Sequence, residues 1–307
     1  MDLMRTIRNA LGWFLAVIFI SLGRLNKAKR QSFRKDVIIP ISFHNPNRKL
    51  FRRVVIWLRN NGYTFISRDQ LSDILSKKIP CPRGAVWISF DDGWKDNIYN
   101  VVPVAVEYDV PVTIFVCTDA VETGTFWWQD IRRYSNHLPA DYHDDVKNRR
   151  MPEETKKQVM ELISRSAPRD NFVREALTIE DIKTIAVIPQ VTIGSHTVSH
   201  PYFPTCSDTE VDYELGESKR KLEEWTGKPV RSFAYPSGGF SGRERRFLKE
   251  HGYELAVTVV NGLATPESDR YLLPRTQLMD DGSLVENLFH ALGAWEPIIN
   301  KIKHILR

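Results

Sequence analysis

Short runs of β-branched and aromatic residues recur along the chain, and most of them end in a polar or charged cluster. Val37–Phe43, Tyr63–Ile66, Val86–Phe90, Val112–Val116, Val191–Ile193, Ser232–Tyr235, Leu255–Val260 and Tyr271–Leu273 are the clearest. Several are apolar at successive positions, not alternate ones. A strand of that kind is buried on both faces, as strands in parallel sheets are. Helix-period patterns fill the intervals. Phe51, Val54, Val55 and Leu58 stand at i, i+3, i+4, i+7 before Gly62. Ser67 and Gln70 form a capping box ahead of Leu71, Ile74 and Leu75. Ile98–Glu107 and Thr178–Ile188 read as helices. Ser207 and Glu210 open another helix over Val211, Leu215, Leu222 and Trp225, closed by Gly227. Ser241 and Glu244 open one that ends at Gly252, and Leu284–Leu292 is the last. Strands alternating with helices predict an α/β fold with a parallel sheet or barrel. In such a barrel, chemistry gathers where strands end. His44, Asp91, Asp92, His196, His200 and Tyr235 all fall at strand ends.

The 307 residues are enough for one large domain or two small ones, and 42% hydrophobic with 26% charged content is ordinary for a globular protein. Three widely spaced cysteines, Cys81, Cys117 and Cys206, lack C-x-x-C spacing, which argues against a disulfide framework or a thiolate zinc site. The net charge of +5 is uneven: residues 1–35 hold eight Lys/Arg against Asp2, a net +7, which leaves −2 for residues 36–307. The basic balance therefore belongs to a tail. No nucleic-acid partner is expected, because that needs cations spread over a folded face.

Residues 1–36 read as a separate apolar and basic segment. Asn9–Gly23 is uncharged and carries Trp13, Phe14 and Phe19. As a helix this short run spans ~22 Å, less than the ~30 Å hydrocarbon core. Signal peptide, short anchor and interfacial helix all compete. The heavier cationic cluster follows the apolar run, which opposes export of what comes next and favours an anionic membrane surface on the cytoplasmic side; an exported or periplasmic location is the competing expectation. Residues 37–307 read as one domain. Within it, 119–180 is an elaborated loop region, with helices from Phe126 to Tyr134 and near Glu153–Ser166.

Two carboxylates follow the run Val86-Trp87-Ile88-Ser89-Phe90. Adjacent side chains of an extended chain point to opposite sides, so Asp91 and Asp92 cannot share one task. One can hold a metal while the other handles a proton. The competing reading is a plain turn at Asp92-Gly93. About a hundred residues on, Val191-Thr192-Ile193 runs into Gly194-Ser195-His196-Thr197-Val198-Ser199-His200. Histidines at i, i+4 meet one metal if the segment is helical or coiled. Adding a carboxylate makes a two-His, one-carboxylate set, which keeps coordination positions open for water and substrate.

These residues resemble the polysaccharide deacetylase family, the NodB-homology carbohydrate esterases of family 4. Ser89-Phe90-Asp91-Asp92-Gly93 matches its T/S-F-D-D-G motif and His196-Thr197-Val198-Ser199-His200 its H-S/T-x-x-H motif. Phe233-Ala234-Tyr235-Pro236-Ser237-Gly238 looks like the third. The similarity runs from about Val37 to Leu278, in order. It implies a deformed (β/α) barrel and hydrolysis of an N-acetyl group on an amino-sugar saccharide. It implies that Asp92, His196 and His200 bind a divalent metal, usually zinc, that Asp91 is the general base, and that a backbone N–H, that of Ser237, aids the developing oxyanion. Tyr235, Pro236, His44 and Trp128 are the expected substrate contacts, with Trp94 and Trp127 as further aromatic surfaces for sugar rings.

Two departures stand out. The family's third motif often begins R-x-P, but the matching position is Ala234, so the arginine that orients the base is missing there. Arg275 is the expected substitute, from another loop. The late Leu-x-His motif that supplies a general acid has no counterpart; His290 lies in an apolar helix pattern and reads as structural. Two rival functions follow: a deacylase or deformylase of a lipid-linked sugar, motivated by the N-terminal segment, and a non-catalytic glycan-binding or scaffolding barrel, motivated by the departures.

Overall fold

The structure is a computed structural model that describes residues 23–166 and 173–294. Eight parallel strands form its sheet: β1 (Ile38–Phe43), β2 (Thr64–Phe65), β3 (Ala85–Phe90), β4 (Val112–Val116), β5 (Val191–Ser195), β6 (Ser232–Ala234), β7 (Leu255–Val257) and β8 (Thr276–Gln277). The order is β7-β6-β5-β4-β3-β1-β8, and β2 pairs with the first residues of β3. Leu273 bridges Val257 of β7, and three residues later β8 pairs with Ile41 and Ser42 of β1. This segment joins the two ends of the sheet, so the architecture is the expected deformed α/β barrel.

The two-residue period of a strand sorts its side chains between two cores. Ile39, Ile41, Phe43, Val86, Ile88, Phe90, Val112, Ile114 and Val116 point outward and pack under the surrounding helices. Ile38, Trp87, Phe115, Ala234, Leu255, Val257 and Leu273 fill the interior with Leu71 and Ile74 of the helix Arg68–Leu75. Burial on both faces explains why these strands are apolar at successive positions. By the same period Ser89 and Asp91 follow Trp87 into the barrel. Gly194 is a packing requirement: a Cβ there would lie 2.5 Å from the Phe115 ring.

The register places the functional ends on one rim. Phe43 pairs with Phe90, Phe90 with Ile114, Val116 with Ser195 and Ser195 with Phe233. The residues that follow β1, β3, β5 and β6, namely His44, Asp91-Asp92, His196 and Tyr235, therefore emerge together.

Most helices match their sequence signals. The capping boxes at Ser67 and Ser207 are formed, a third forms at Thr178, and Gly227 closes Asp208–Thr226 in the left-handed conformation. Three expectations need correcting. The helix expected over Ile98–Glu107 is two, Asn97–Asn100 and Val102–Glu107, with Pro103 in the first turn of the second. Ser241 does not cap a helix; Glu244 begins the helix Glu244–Glu250 and folds its carboxylate back onto the Ser241 and Gly242 N–H groups. Tyr271–Leu273 is not a strand but contributes the single bridge of Leu273 to Val257, and the next strand is Thr276–Gln277. The apolar run Asn9–Gly23 lies, but for Gly23, outside the described residues. The basic stretch after it forms the helix Arg24–Ser32, which buries Ala28 and Ser32 against the domain, with Ser32 Oγ 2.9 Å from Tyr63 Oη. Among the described residues no helix is long and apolar enough to cross a membrane.

Candidate active site

Asp91 and Asp92 part company at the end of β3. Asp91 continues the strand's inward alternation and meets Arg275, which lies wholly inside the barrel. The guanidinium donates from both terminal nitrogens, at 2.6 Å to each carboxylate oxygen. Two further donors go to Ser89 Oγ at 2.9 Å and Thr258 O at 3.2 Å. A bidentate pair fixes the carboxylate plane as well as its position.

Asp92 takes a left-handed backbone, φ 73°, followed by Gly93 at φ 82°. The two central residues have the signs of an Asp-Gly turn, but β3 continues into parallel neighbours, so there is no hairpin. The turn aims the Asp92 carboxylate at the end of β5. Its Oδ2 accepts from the Trp94 indole N–H at 3.0 Å. Its Oδ1 lies 3.4 Å from His196 Nε2 and 3.7 Å from His200 Nε2.

The two histidines do not lie on a helix. Residues 196–200 form a strand-end loop in which Thr197 and His200 have φ of 72° and 56°. Left-handed backbone at non-glycine residues costs energy and persists where surroundings impose it. Here the buried Glu214 imposes it: Oε2 accepts from the N–H groups of Val198 (2.7 Å) and Ser199 (3.0 Å), and Oε1 from Ser199 Oγ (2.7 Å). Thr197 Oγ1 accepts the His200 N–H at 3.0 Å. Lys156, from the helix Glu153–Ser166, donates to Ser199 O at 3.2 Å. His196 Nδ1 lies 2.7 Å from Ala234 O, which fixes its proton there and presents Nε2 as a bare acceptor. The Trp128 ring backs His200, with centroids 4.4 Å apart.

This geometry fits a cation. One ligand atom from each of Asp92, His196 and His200 lies within 4.8 Å of the other two, and all three residues are buried. Asp92 Oδ1 is buried without a hydrogen-bond partner. A buried carboxylate oxygen left bare between two imidazoles is costly unless something positive completes it. Burial pushes Asp92 upward, but His44, His196 and His200 outweigh it and hold the carboxyl well below its usual range. Burial opposes charge on both imidazoles. At His196 the adjacent Asp92 carboxylate and the charge of Asp91 win over burial, and its pKa is raised; at His200 burial and the His196 charge keep it well below the usual value.

A pocket of about 420 Å³ opens over this centre, lined by Asp91, His196 and His200 together with His44, Tyr235 and Ser237. Ser237, at φ 51°, lies in the tight turn Pro236–Gly238. The N–H groups of Tyr235, Gly238 and Gly239 are spent on Val257 O, Tyr235 O and Pro236 O, and proline has none. That leaves Ser237 as the segment's backbone donor. Pro236 is buried in the same turn. Trp128 is corrected: at 4% exposure it has no open face for a sugar, because the ring is packed between His200 and Phe126. Trp94 donates its indole N–H to Asp92, with its ring 4.4 Å from that of Phe126, and Trp127 donates to Ser199 O at 3.1 Å, with Lys156 Nζ 5.6 Å from its ring centroid.

Trp94, Glu214 and Lys156 escaped sequence reasoning as parts of the site. Trp94 follows the carboxylate motif by two positions, a nearness that hinted at the contact. Glu214 lies 14 residues beyond His200 inside a helix, where nothing local marks it.

The strand-end metal-ligand cluster, beside an arginine-held carboxylate in a parallel α/β barrel, defines a hydrolase-type centre of the carbohydrate-esterase kind. The family model for polysaccharide deacetylase matches residues 78–256, and the chain belongs to that family. Among curated proteins it is 21% identical over 231 residues to a putative polysaccharide deacetylase, YxkH, of Bacillus subtilis, a match covering 75% of this chain and 64% of that one. It is also 21% identical over 257 residues to the poly-β-1,6-N-acetyl-D-glucosamine N-deacetylase of Staphylococcus aureus, covering 83% and 73%. Among solved structures, the deacetylase PplD of Streptococcus pyogenes aligns with a TM-score of 0.62 at 21% identity, over 84% of this chain and 99% of that one. IcaB of Ammonifex degensii aligns at 0.61 and 18% identity, over 84% and 98%.

Proposed function

We propose that this protein is a metal-dependent hydrolase that removes N-acetyl groups from an amino-sugar saccharide, with zinc as the resident ion. The observation that carries the reading is the pair of fates at Asp91-Asp92: one carboxylate clamped by Arg275 and facing the pocket, the other turned with a bare oxygen between His196 and His200.

Asp92, His196 and His200 would hold the cation. When bound, a divalent ion supplies Lewis acidity, acidifying a coordinated water and polarising the amide carbonyl. Asp91 receives the water proton as attack begins; Arg275 keeps its oxygens aimed and cannot itself compete for that proton. The Ser237 N–H donates to the oxygen that gains charge as the carbonyl carbon becomes tetrahedral. His44 lies in the same pocket with Nδ1 3.3 Å from the Gln277 side-chain amide. Asp91, once protonated, returns that proton to the leaving amine, and His44 offers a hydrogen bond to the bound saccharide. Amine and acetate are the products.

The test is acetate release from a panel of N-acylated amino sugars by zinc-replete protein. Turnover on N-acetylated saccharides is expected, with Asp91→Asn lowering kcat by about 10²–10⁴-fold while zinc stays bound. Zinc binding with no turnover on any member would leave a glycan-binding barrel instead.

A further inference from the structure

Two arginines in the loop region are unaccounted for by this chemistry. Arg149 and Arg150 line the pocket over His196 and His200. The Arg149 guanidinium lies 5.8 Å from the Trp128 ring centroid, and Trp128 is the ring packed on His200. Arg150 lies 5.9 Å from the Tyr202 ring. Several other arginines are matched by carboxylates, Arg133 by Asp130 and Glu175, Arg220 by Glu217 and Glu224, Arg243 by Asp208, and others such as Arg59, Arg174 and Arg270 donate to backbone or hydroxyl oxygens. Among the described residues neither Arg149 nor Arg150 has a carboxylate within ion-pair distance. Asp91, which shares the pocket, is already committed to Arg275.

Their positions are held. Asn148 is buried and donates to Tyr142 O at 2.7 Å, and the Arg150 N–H reaches Lys147 O at 3.0 Å. Ser237 Oγ donates to Arg149 O at 3.4 Å, tying this turn to the segment that carries the backbone donor. Cation–π proximity to these rings, at 5.8 and 5.9 Å, helps hold the guanidiniums while their N–H donors stay free for an oxyanion. Residues 36–307 are net −2, so two unmatched cations at the mouth of the pocket are a local arrangement and not a by-product of a basic domain.

We infer that Arg149 and Arg150 form an oxyanion subsite, and that the saccharide carries a phosphate or carboxylate group close to the acetylated amine. This rests on the deacetylase reading and narrows its substrate from any acetylated saccharide to an anionic one. The phosphate could be part of a polymer or of a polyprenyl diphosphate, and the experiment separates these sources.

Zinc-replete protein and the double variant R149Q/R150Q are assayed on methyl N-acetylglucosaminide, N-acetylglucosamine 1-phosphate, its methyl phosphodiester, its farnesyl diphosphate, and a disaccharide joining N-acetylglucosamine to glucuronate. Hydrogen bonds to an ionised group are worth about tenfold or more. The wild type should therefore exceed its kcat/KM on the neutral glycoside by about tenfold or more on at least one anionic substrate. The ratio should fall toward one in the double variant and shrink as salt rises. The preferred arm names the source. Equal kcat/KM on neutral and anionic substrates, or an equal loss on all of them in the variant, overturns the subsite and leaves the deacetylase reading intact. If nothing is turned over, that reading fails instead, and calorimetry still decides the subsite. Glucosamine 1-phosphate must bind the wild type more tightly than methyl glucosaminide, and the variant must lose the difference.

Discussion

Asp91 and Asp92 are adjacent and equally buried, at 3% exposure each, yet they sit in opposite chemical surroundings. The Asp91 side is saturated: two short hydrogen bonds from one guanidinium, which is itself bonded to Ser89 and Thr258. The Asp92 side is short of partners: one oxygen takes the Trp94 N–H, and the other faces two imidazole nitrogens beyond hydrogen-bonding distance. Burial alone therefore says nothing about role. What separates a carboxylate that is oriented from one that awaits a cation is whether its lone pairs are already satisfied.

The largest way to break the comparison is to remove an imidazole. His196→Ala deletes one of three ligands, and zinc affinity should fall by well over 100-fold, beyond what outer-shell partners are worth. Acetate release should drop to background with it. Equilibrium dialysis and an acetate assay on the same sample check both. Near-normal zinc affinity would mean the ion sits elsewhere.

Next is the saturated side. Arg275→Gln leaves Asp91 buried without its countercharge, and losing one partner of a buried pair costs about 3–5 kcal/mol. Denaturant unfolding of zinc-free protein should show that loss. Zinc affinity should change only a few-fold, because Arg275 touches none of the three ligands. Arg275→Lys keeps the charge but not the fork, so it should recover part of the stability and little of the activity. An Arg275→Gln protein with intact stability but no zinc would collapse the distinction between the two sides.

Much of this was legible in the chain. The strands are apolar at successive positions because each separates two cores, so a parallel α/β sheet or barrel could be read directly, and the deformed barrel from the family resemblance. Asp91, Asp92, His196 and His200 announced themselves by standing at strand ends. Arg275 was singled out because Ala234 lacks the expected arginine, and the barrel's closure explains why it can serve: Leu273 bridges β7, β8 pairs with β1, and Arg275 lies between them inside the ring. The loop conformation of 196–200 was not legible, since it is imposed by Glu214 from a separate helix. Trp128 was misjudged because an aromatic residue in a loop carries no local mark of what will cover it. Arg149 and Arg150 looked like two charges among many; only the pocket sets them apart.

A smaller perturbation sharpens the unsaturated side. Trp94→Phe keeps the ring but removes the N–H that holds Asp92 Oδ2, freeing the carboxylate to rotate. Outer-shell partners of this kind are worth about 10–100-fold in metal affinity. Zinc competition against a chromogenic chelator should show a loss in that range, with unfolding stability close to wild type. No change would assign the Trp94 contact to packing.

The smallest effect lies in protons. In the zinc-free protein burial opposes charge on His196, but the Asp92 and Asp91 carboxylates raise it above the usual imidazole value, while burial and the His196 charge keep His200 well below it. Of the two imidazoles, His196 therefore keeps its second proton to the higher pH. Only a neutral imidazole binds zinc, so binding displaces that proton. The sign follows: apparent affinity rises with pH, by up to about tenfold per unit, while pH is below the His196 value, and levels off above it. Calorimetry in buffers of different ionisation enthalpy should count a proton release per zinc ion that approaches about one as pH falls below the His196 value and vanishes above it. Asp91→Asn removes a more distant contributor to the His196 shift than Asp92→Asn does, so it should lower the pH at which release is half complete by less. An equal displacement by the two variants would mean that the saturated and unsaturated carboxylates act on the histidine alike, and the contrast between them would lose its electrostatic basis.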